Sequence, residues 1–510
     1  MGVLTMQNPA TGEILGELAE ATPDEVRLAM ERARQAFPGW SARPLPERLH
    51  YLTRLRHCLA EQTETLAGKI SADTGKPTLE ALMTEIFITA DTIRFYEKHA
   101  KRMLSPRRVP TPLVLWPKRS SIHYKPLGVV AVISPWNYPF QLSVIPALSA
   151  LAAGNTVLLK PSEVTPYTGL VMEELFRTIG FPEGVIQVLH GGREVGQALV
   201  AARPDKIFFT GSAATGRAIM KQAAEYLIPV ELELGGKDPM IVFADAHLER
   251  AANAAVWGAF TNAGQVCMSV ERLYVEQSVY PQFVELVKAK TAALRQGFPR
   301  QADIGSMTFP RQAEIVRDHV ADAIAKGAVV EIGGRFDEDG MFLSPTVLTG
   351  VTHAMKIMRE ETFGPVLPIM SFSSEAEAIR LANDSPYGLN ASVWSQDETK
   401  AKRVALQLET GNVCINDCLV SFANPHLPFG GVKQSGIGRY RGPEGLRAFT
   451  HAVSVIHDPG RQKREVNWYP YTEEQETMFV GLIKALFGRE RKWNRQALLA
   501  AWREWKRLQE

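Results

Sequence analysis

Residues 129–160 read VVAVISPWNYPFQLSVIPALSALAAGNTVLLK. Two short apolar runs, VVAVI (129–133) and TVLLK (156–160), bracket a helical segment near 141–153. A strand, a helix and a second strand form the repeating unit of a parallel sheet. The unit recurs downstream. A helix near 166–179 leads to VIQVL (185–189), one near 193–202 to KIFF (206–209), and one near 213–226 to VELEL (230–234). This alternation predicts a doubly wound α/β sheet. A second alternating block spans about 240–435, with strands near Met240–Val242, Arg272–Val275 and Val366–Met370.

Upstream, helical signals dominate the first hundred residues. Thr22-Pro23-Asp24-Glu25 supplies an N-cap, a first-turn proline and a capping-box glutamate. A longer amphipathic run covers about Pro46–Ala72, before the turn Thr74-Gly75-Lys76-Pro77.

Composition narrows the function classes. The 510 residues are 45% hydrophobic and 22% charged, ordinary for a globular protein of two or three domains. A net charge of +2 gives no global signal for nucleic acid. Four cysteines, Cys58, Cys267, Cys414 and Cys418, fit neither a disulfide scaffold nor a metal spacing, and suit a reducing, cytoplasmic setting. The N-terminus carries no secretory pattern, and no run is long and apolar enough to span a bilayer.

In a doubly wound sheet, ligands sit beyond the carboxyl ends of the strands. Those ends carry Ser134-Pro135-Trp136-Asn137, Lys160-Pro161-Ser162-Glu163, Gly191-Gly192, Thr210-Gly211-Ser212 and Gly235-Gly236-Lys237. Gly211-Ser212-Ala213-Ala214-Thr215-Gly216 lies between a strand and a helix, where glycines let a phosphate approach backbone N–H groups; a tight turn is the other reading. Lys160 and Glu163 suit the ribose hydroxyls of a dinucleotide, and a carboxylate there repels a 2′-phosphate; a solvated turn pair is the alternative. Glu233 in VELELGGK is either a general base facing a cavity or part of one wet strand face. Asn137 is either an oxyanion donor or a turn residue. Cys267, in NAGQVCMSVER (262–272), is either a nucleophile or a small core hydrophobe.

Together, SPWNYP, KPSEVTP, FTGSAATG, LELGGKDP, GQVCMSVER, EETFGPV and PFGGVKQSGIGR resemble the aldehyde dehydrogenase superfamily from about Asn8 to Val455. The resemblance implies a Rossmann-like dinucleotide domain (1–106 and 127–235), an α/β catalytic domain (236–435) and a small β oligomerisation arm (107–126 and 447–457). A homodimer or homotetramer follows from it. It makes Cys267 the nucleophile, Glu233 the base that activates water, and Asn137 with the Cys267 N–H the oxyanion donors. Cofactor contacts carried over are Ser134, Trp136, Lys160, Ser162, Glu163, Gly211, Ser212, Ala213, Ala214, Thr215, Gly216, Glu361 and Phe363. Asn416 matches a residue that helps shape the family's active site. Glu233 favours hydrolysis to a free acid over transfer to coenzyme A. Glu163 favours NAD, with NADP the alternative acceptor.

The expected substrate is a small-molecule aldehyde. Ile145 stands where succinate-semialdehyde members carry an arginine, and Leu142 and Met268 are also apolar. A pocket without a fixed cation prefers a hydrophobic aliphatic or aromatic aldehyde. A small carboxylated semialdehyde is the alternative, as is a catalytically silent dehydrogenase-like binding protein.

The tail, 461–510, is predicted as an amphipathic helical extension. Met478, Phe479, Leu482, Ile483, Leu486 and Phe487 form one stripe, and Gly488 is a candidate C-cap. Trp493, Ala497, Leu498, Ala501, Trp502, Trp505 and Leu508 form a second, interleaved with Arg and Lys. Such stripes pack on protein or lie in a membrane interface as a peripheral contact.

Overall fold

The computed structural model describes residues 2–337, 340–488, 499 and 502–503. The chain divides into two compact units. One comprises Met1–Ser105 with Tyr124–His451, and the other Pro106–His123 with Ala452–Glu510.

The larger unit holds both sheets expected from the alternating pattern. The first has six strands, in spatial order Gly436–Ile437, Val230–Glu233, Lys206–Thr210, Val129–Ile133, Thr156–Lys160 and Ile186–Val188. All neighbours run parallel except the Gly436–Ile437 edge. Chain order reverses between Val129–Ile133 and Lys206–Thr210, so the cleft beyond their carboxyl ends is the switch point where such sheets bind ligands. The second sheet has seven strands, with Val270–Glu276 and Asp238–Val242 central and only the Val329–Ile332 edge antiparallel. Four of the five residues of VVAVI are at most 1% exposed, because helices cover both faces of a parallel sheet.

Several local expectations need correction. The first twenty residues contain an antiparallel hairpin, Val3–Gln7 with Ile14–Ala19, whose inward face is small: Met6 is buried, and Leu4 and Leu18, opposite each other, are half-buried. The run expected at 46–72 is two helices, Leu45–Glu61 and Thr63–Thr74. Gln62 leaves helical geometry, and the Thr63 hydroxyl donates to the Leu59 carbonyl at 2.7 Å. VELEL has no wet face: Glu231, Leu232 and Glu233 are all buried.

The smaller unit carries a three-stranded sheet, in order Thr450–His457, Arg119–Pro126 and Arg107–Val109. Within it, Lys118 pairs with Asp458 and with Glu465, the latter at 2.7 Å. The helix Glu473–Phe487 opens on a Thr472/Gln475 capping box and ends at Gly488, which is extended rather than left-handed. Met478 is buried, whereas Phe479, Val480, Ile483, Leu486 and Phe487 are exposed. Of the second predicted stripe, Trp502 is exposed; Trp493, Ala497, Leu498, Ala501, Trp505 and Leu508 lie outside the described residues.

Candidate active site

Strand ends and one tight turn converge on a cavity of about 260 Å³. Trp136 and Asn137 enter after Val129–Ile133, Gly211 and Ser212 after Lys206–Thr210, and Glu233 from the end of its own strand. Cys267, Leu142, Glu361 and Phe363 complete the wall with Gln312 and Ile315. No lysine or arginine lines the cavity among the described residues, and none of these residues forms a metal-binding cluster of three.

Cys267 follows an unusual turn. Asn262 (φ 51), Ala263 (φ 53) and Gly264 (φ 72) are consecutively left-handed, a conformation disfavoured for residues with a Cβ. The Gln265 carbonyl, leaving that turn, accepts from Asn137 Nδ2 at 2.9 Å and from Asn262 Nδ2 at 3.2 Å. Asn137 is 3% exposed, and its own carbonyl accepts from Lys76 Nζ at 2.8 Å. Cys267 is half-buried; burial, then the charges of Glu361, Asp238 and Glu233, push its thiol up.

Glu233 is 4% exposed and neither carboxylate oxygen has a protein partner. Burial and neighbouring Glu231 hold its carboxyl well above the usual range, against the opposing charge of Arg439. Glu231 is paired with Lys206 Nζ at 2.6 Å, and that ammonium also donates to the Ala448 carbonyl. Gly430 clears the approach to the base, since a Cβ there would lie 3.0 Å from Glu233 Oε1.

The expected cofactor residues fall into two groups. Ser212 caps the helix Ala213–Ala224, accepting from Thr215 N. Gly216 lets that helix press on the sheet, because a Cβ would lie 2.7 Å from Leu234 Cδ2. Ser212, Ala213 and Ala214 also line an adjoining cavity with Glu361. Glu361 Oε1 accepts from Gly236 N at 3.0 Å, and burial with nearby Glu271 raises its pKa to about 8. Phe363 meets Trp136 edge-on at 5.4 Å. The second group lies at the end of Thr156–Lys160. Lys160 Nζ donates to Glu163 Oε2 at 2.9 Å, the Ser162 hydroxyl accepts from Val164 N, and Ser134 N donates to the Lys160 carbonyl. Glycines closing a helix onto a sheet at the switch point, with a lysine–carboxylate pair on the neighbouring strand end, fit a dinucleotide.

Three other expectations land differently. Of Leu142, Ile145 and Met268, only Leu142 lines the cavity; Ile145 and Met268 are packed in the core. Asn416 spends its amide on the backbone of Ser395 and does not line the cavity. Sequence reasoning missed Gln265, which links Asn137 to the nucleophile's turn, together with Lys76, Glu80 and Glu85 behind it.

A model of the aldehyde dehydrogenase family matches residues 2–455. A 4,4'-diapolycopene aldehyde oxidase of Methylomonas sp is 46% identical over 509 residues, covering 99% of this chain and 96% of that protein. The crystal structure of a Mycobacterium tuberculosis aldehyde dehydrogenase complexed with NAD+ superposes with a TM-score of 0.85 at 36% identity, covering 90% of this chain and 95% of that one. An E. coli NADP dependent enzyme gives 0.86 at 36% identity, covering 89% and 95%.

Proposed function

The chain belongs to the aldehyde dehydrogenase family and oxidises an aldehyde with NAD or NADP as acceptor; from that premise we propose how its own residues divide the work. Cys267 is the nucleophile, Glu233 the base, and Asn137 with the Cys267 N–H the oxyanion donors. The observation that carries this reading is the meeting of all three side chains in one cavity, with both Glu233 oxygens free of protein partners.

The Cys267 thiol, raised by burial, gives its proton to solvent, and its thiolate sulfur attacks the aldehyde carbon. Negative charge then develops on the aldehyde oxygen, where the Asn137 amide and the Cys267 N–H donate. When bound, the nicotinamide would supply the acceptor for the hydride lost from the substrate carbon, and Cys267 would then carry a thioester. Glu233 takes a proton from water, whose oxygen adds to the thioester carbon. The sulfur leaves and the carboxylic acid departs. Lys160, Ser162 and Glu163, the segment 211–216, Ser134, Trp136, Glu361 and Phe363 would hold the cofactor. Glu163, paired with Lys160, favours NAD over NADP.

The substrate on this reading is a hydrophobic aldehyde. Leu142 and Ile315 line the cavity without a fixed cation, which disfavours a carboxylated semialdehyde. The relative matched over 99% of the chain, tail included, is named for a diapolycopene aldehyde. Residues 1–106 and 127–235 serve the dinucleotide, 236–435 the catalysis, and 107–126 with 447–457 the joining of a homodimer or homotetramer. The exposed apolar face of Glu473–Phe487 would pack on protein, on this chain's own surface or across a second copy, with a peripheral membrane contact the alternative use. No helix among the described residues is long and apolar enough to cross a membrane.

The test is reduced-cofactor absorbance with an aldehyde panel and both acceptors. Medium or long aliphatic and aromatic aldehydes give a higher kcat/KM than succinate semialdehyde. The reverse ranking overturns the substrate assignment.

A further inference from the structure

One buried cluster behind the site has no part in the chemistry above. The Lys76 and Glu85 side chains are wholly inaccessible, with Nζ 2.8 Å from Oε1. Lys76 Nζ also donates to the Asn137 carbonyl at 2.8 Å and sits 4.2 Å from the Tyr138 ring centre. The other Glu85 oxygen accepts from Gln141 N at 2.9 Å. This pair therefore holds the backbone at Asn137 itself and again at Gln141, four residues on. Glu80 grips the facing segment. Its Oε1 accepts from Asn262 N at 2.8 Å and from the Thr261 hydroxyl at 2.7 Å, at the start of the left-handed turn leading to Cys267. Thr308 ties the two sides together, donating from N to Gln265 Oε1 and from its hydroxyl to the Thr74 carbonyl.

A local irregularity aims both carboxylates inward. In an α-helix, residues five apart diverge by about 140°. Residues Ala81–Phe87 are π-helical, and the i→i+5 bonding of a π-turn brings such residues back toward one face. A fully desolvated ion pair is a weak source of net stability compared with apolar packing. Stability alone therefore gives no reason for charges at these positions.

We propose that Lys76, Glu80 and Glu85 are positioning residues. They hold the Asn137 amide and the Cys267 backbone in register as one oxyanion pocket, a role that rests on the assignment of those two donors above. Glu80 keeps the disfavoured turn in place, and the Lys76–Glu85 pair fixes the peptide opposite.

The experiment uses the full-length protein with saturating cofactor and aldehyde. It reads the pre-steady-state rate of cofactor reduction, cofactor Kd by fluorescence, and alkylation of Cys267 by iodoacetamide, which needs no oxyanion donor. Lys76→Met and Glu80→Met lower the reduction rate about 10- to 100-fold, with Kd and alkylation unchanged. Glu80→Gln, whose amide oxygen retains both acceptor bonds, recovers most of the rate lost in Glu80→Met. Lys76→Met adds no further loss once Asn137 is alanine, because both changes remove one pocket. Should Lys76→Met not fold, Lys76→Arg, which keeps the charge but moves the donor, carries the same test. An unchanged rate in the folded variants, or additive losses with Asn137→Ala, overturns the cradle while leaving the oxyanion assignment standing. An unchanged rate in Asn137→Ala alone overturns both.

Discussion

Replacing Asn137 by alanine separates chemistry from folding unusually well. The side chain is 3% exposed and donates to the Gln265 carbonyl at 2.9 Å. That carbonyl keeps a second donor, Asn262 Nδ2 at 3.2 Å, so truncation strands no buried acceptor. The stability cost is then that of one ordinary hydrogen bond, about 1 kcal/mol. Removing one donor from an oxyanion pocket costs about 3–4 kcal/mol of transition-state stabilisation, or roughly a hundred- to a thousandfold in rate. The Cys267 N–H remains, so activity falls without vanishing. Stopped-flow absorbance of the first turnover reads the rate, calorimetry reads Tm, and iodoacetamide checks that Cys267 is still presented. Asn137→Asp is slower than unmodified protein as well, since its carboxylate faces the Gln265 carbonyl with an acceptor in place of a donor. A first-turnover loss below about tenfold in Asn137→Ala, with Cys267 alkylated normally, refutes the oxyanion assignment.

Further outcomes follow from the same geometry. Cys267→Ala abolishes oxidation, whereas Glu233→Gln keeps a burst of reduced cofactor and then turns over slowly; full steady-state activity in Glu233→Gln removes it as the base. Glu231→Gln deletes the neighbouring negative charge that helps raise Glu233, so the pH at which thioester hydrolysis switches on moves down. An unmoved single-turnover pH profile counts against that coupling. Glu163→Ser narrows the gap in kcat/KM between NAD and NADP, and a parent enzyme that prefers NADP shows that Glu163 does not select the cofactor. Burial raises the Asp73 carboxyl to about 7, with both of its bonds, from Thr168 N and Oγ1, falling on a single oxygen. A raised carboxyl favours the neutral folded form, so its stabilisation is complete below the unfolded pKa and lost as pH rises through about 7. Asp73→Asn therefore gains on the unmodified protein by about 3 kcal/mol between about pH 5 and pH 8 in denaturant unfolding, and a pH-independent difference rejects this.

Five of the six strands of the first sheet were legible because each is a short, mostly apolar run bounded by turn residues, as VVAVI and TVLLK show, whereas the two-residue edge Gly436–Ile437 has no such run. Cys267, Glu233 and Asn137 could be singled out as residue types, but only the company of the other motifs separated them from a core thiol, a wet strand and a turn. The substrate wall was not legible. Every residue of the helix Gln141–Ala153 is buried, so it has no polar face from which to tell that Leu142 borders the cavity while Ile145 packs in the core. Glu80 and Glu85 were hidden for a different reason. Helical spacing sets residues five apart on different faces, and the π-turn that reunites them leaves no mark in an apolar pattern. Lys160 and Glu163 were visible as neighbours, yet their direct pairing needed coordinates.

Glu233 lies on a strand whose outer neighbour is Gly436–Ile437, with Glu233 opposite Gly436. During synthesis, every residue of the second sheet leaves the ribosome before that partner does. The nascent first sheet therefore waits with Val230–Glu233 as an open edge, the kind of surface that invites wrong pairing. Only when residue 437 emerges does the edge close and the base acquire its surroundings. A chain released before that point retains the cysteine and the asparagine but lacks the strand that pairs beside Glu233, and the expected outcome in a reduced-cofactor assay is no steady-state oxidation.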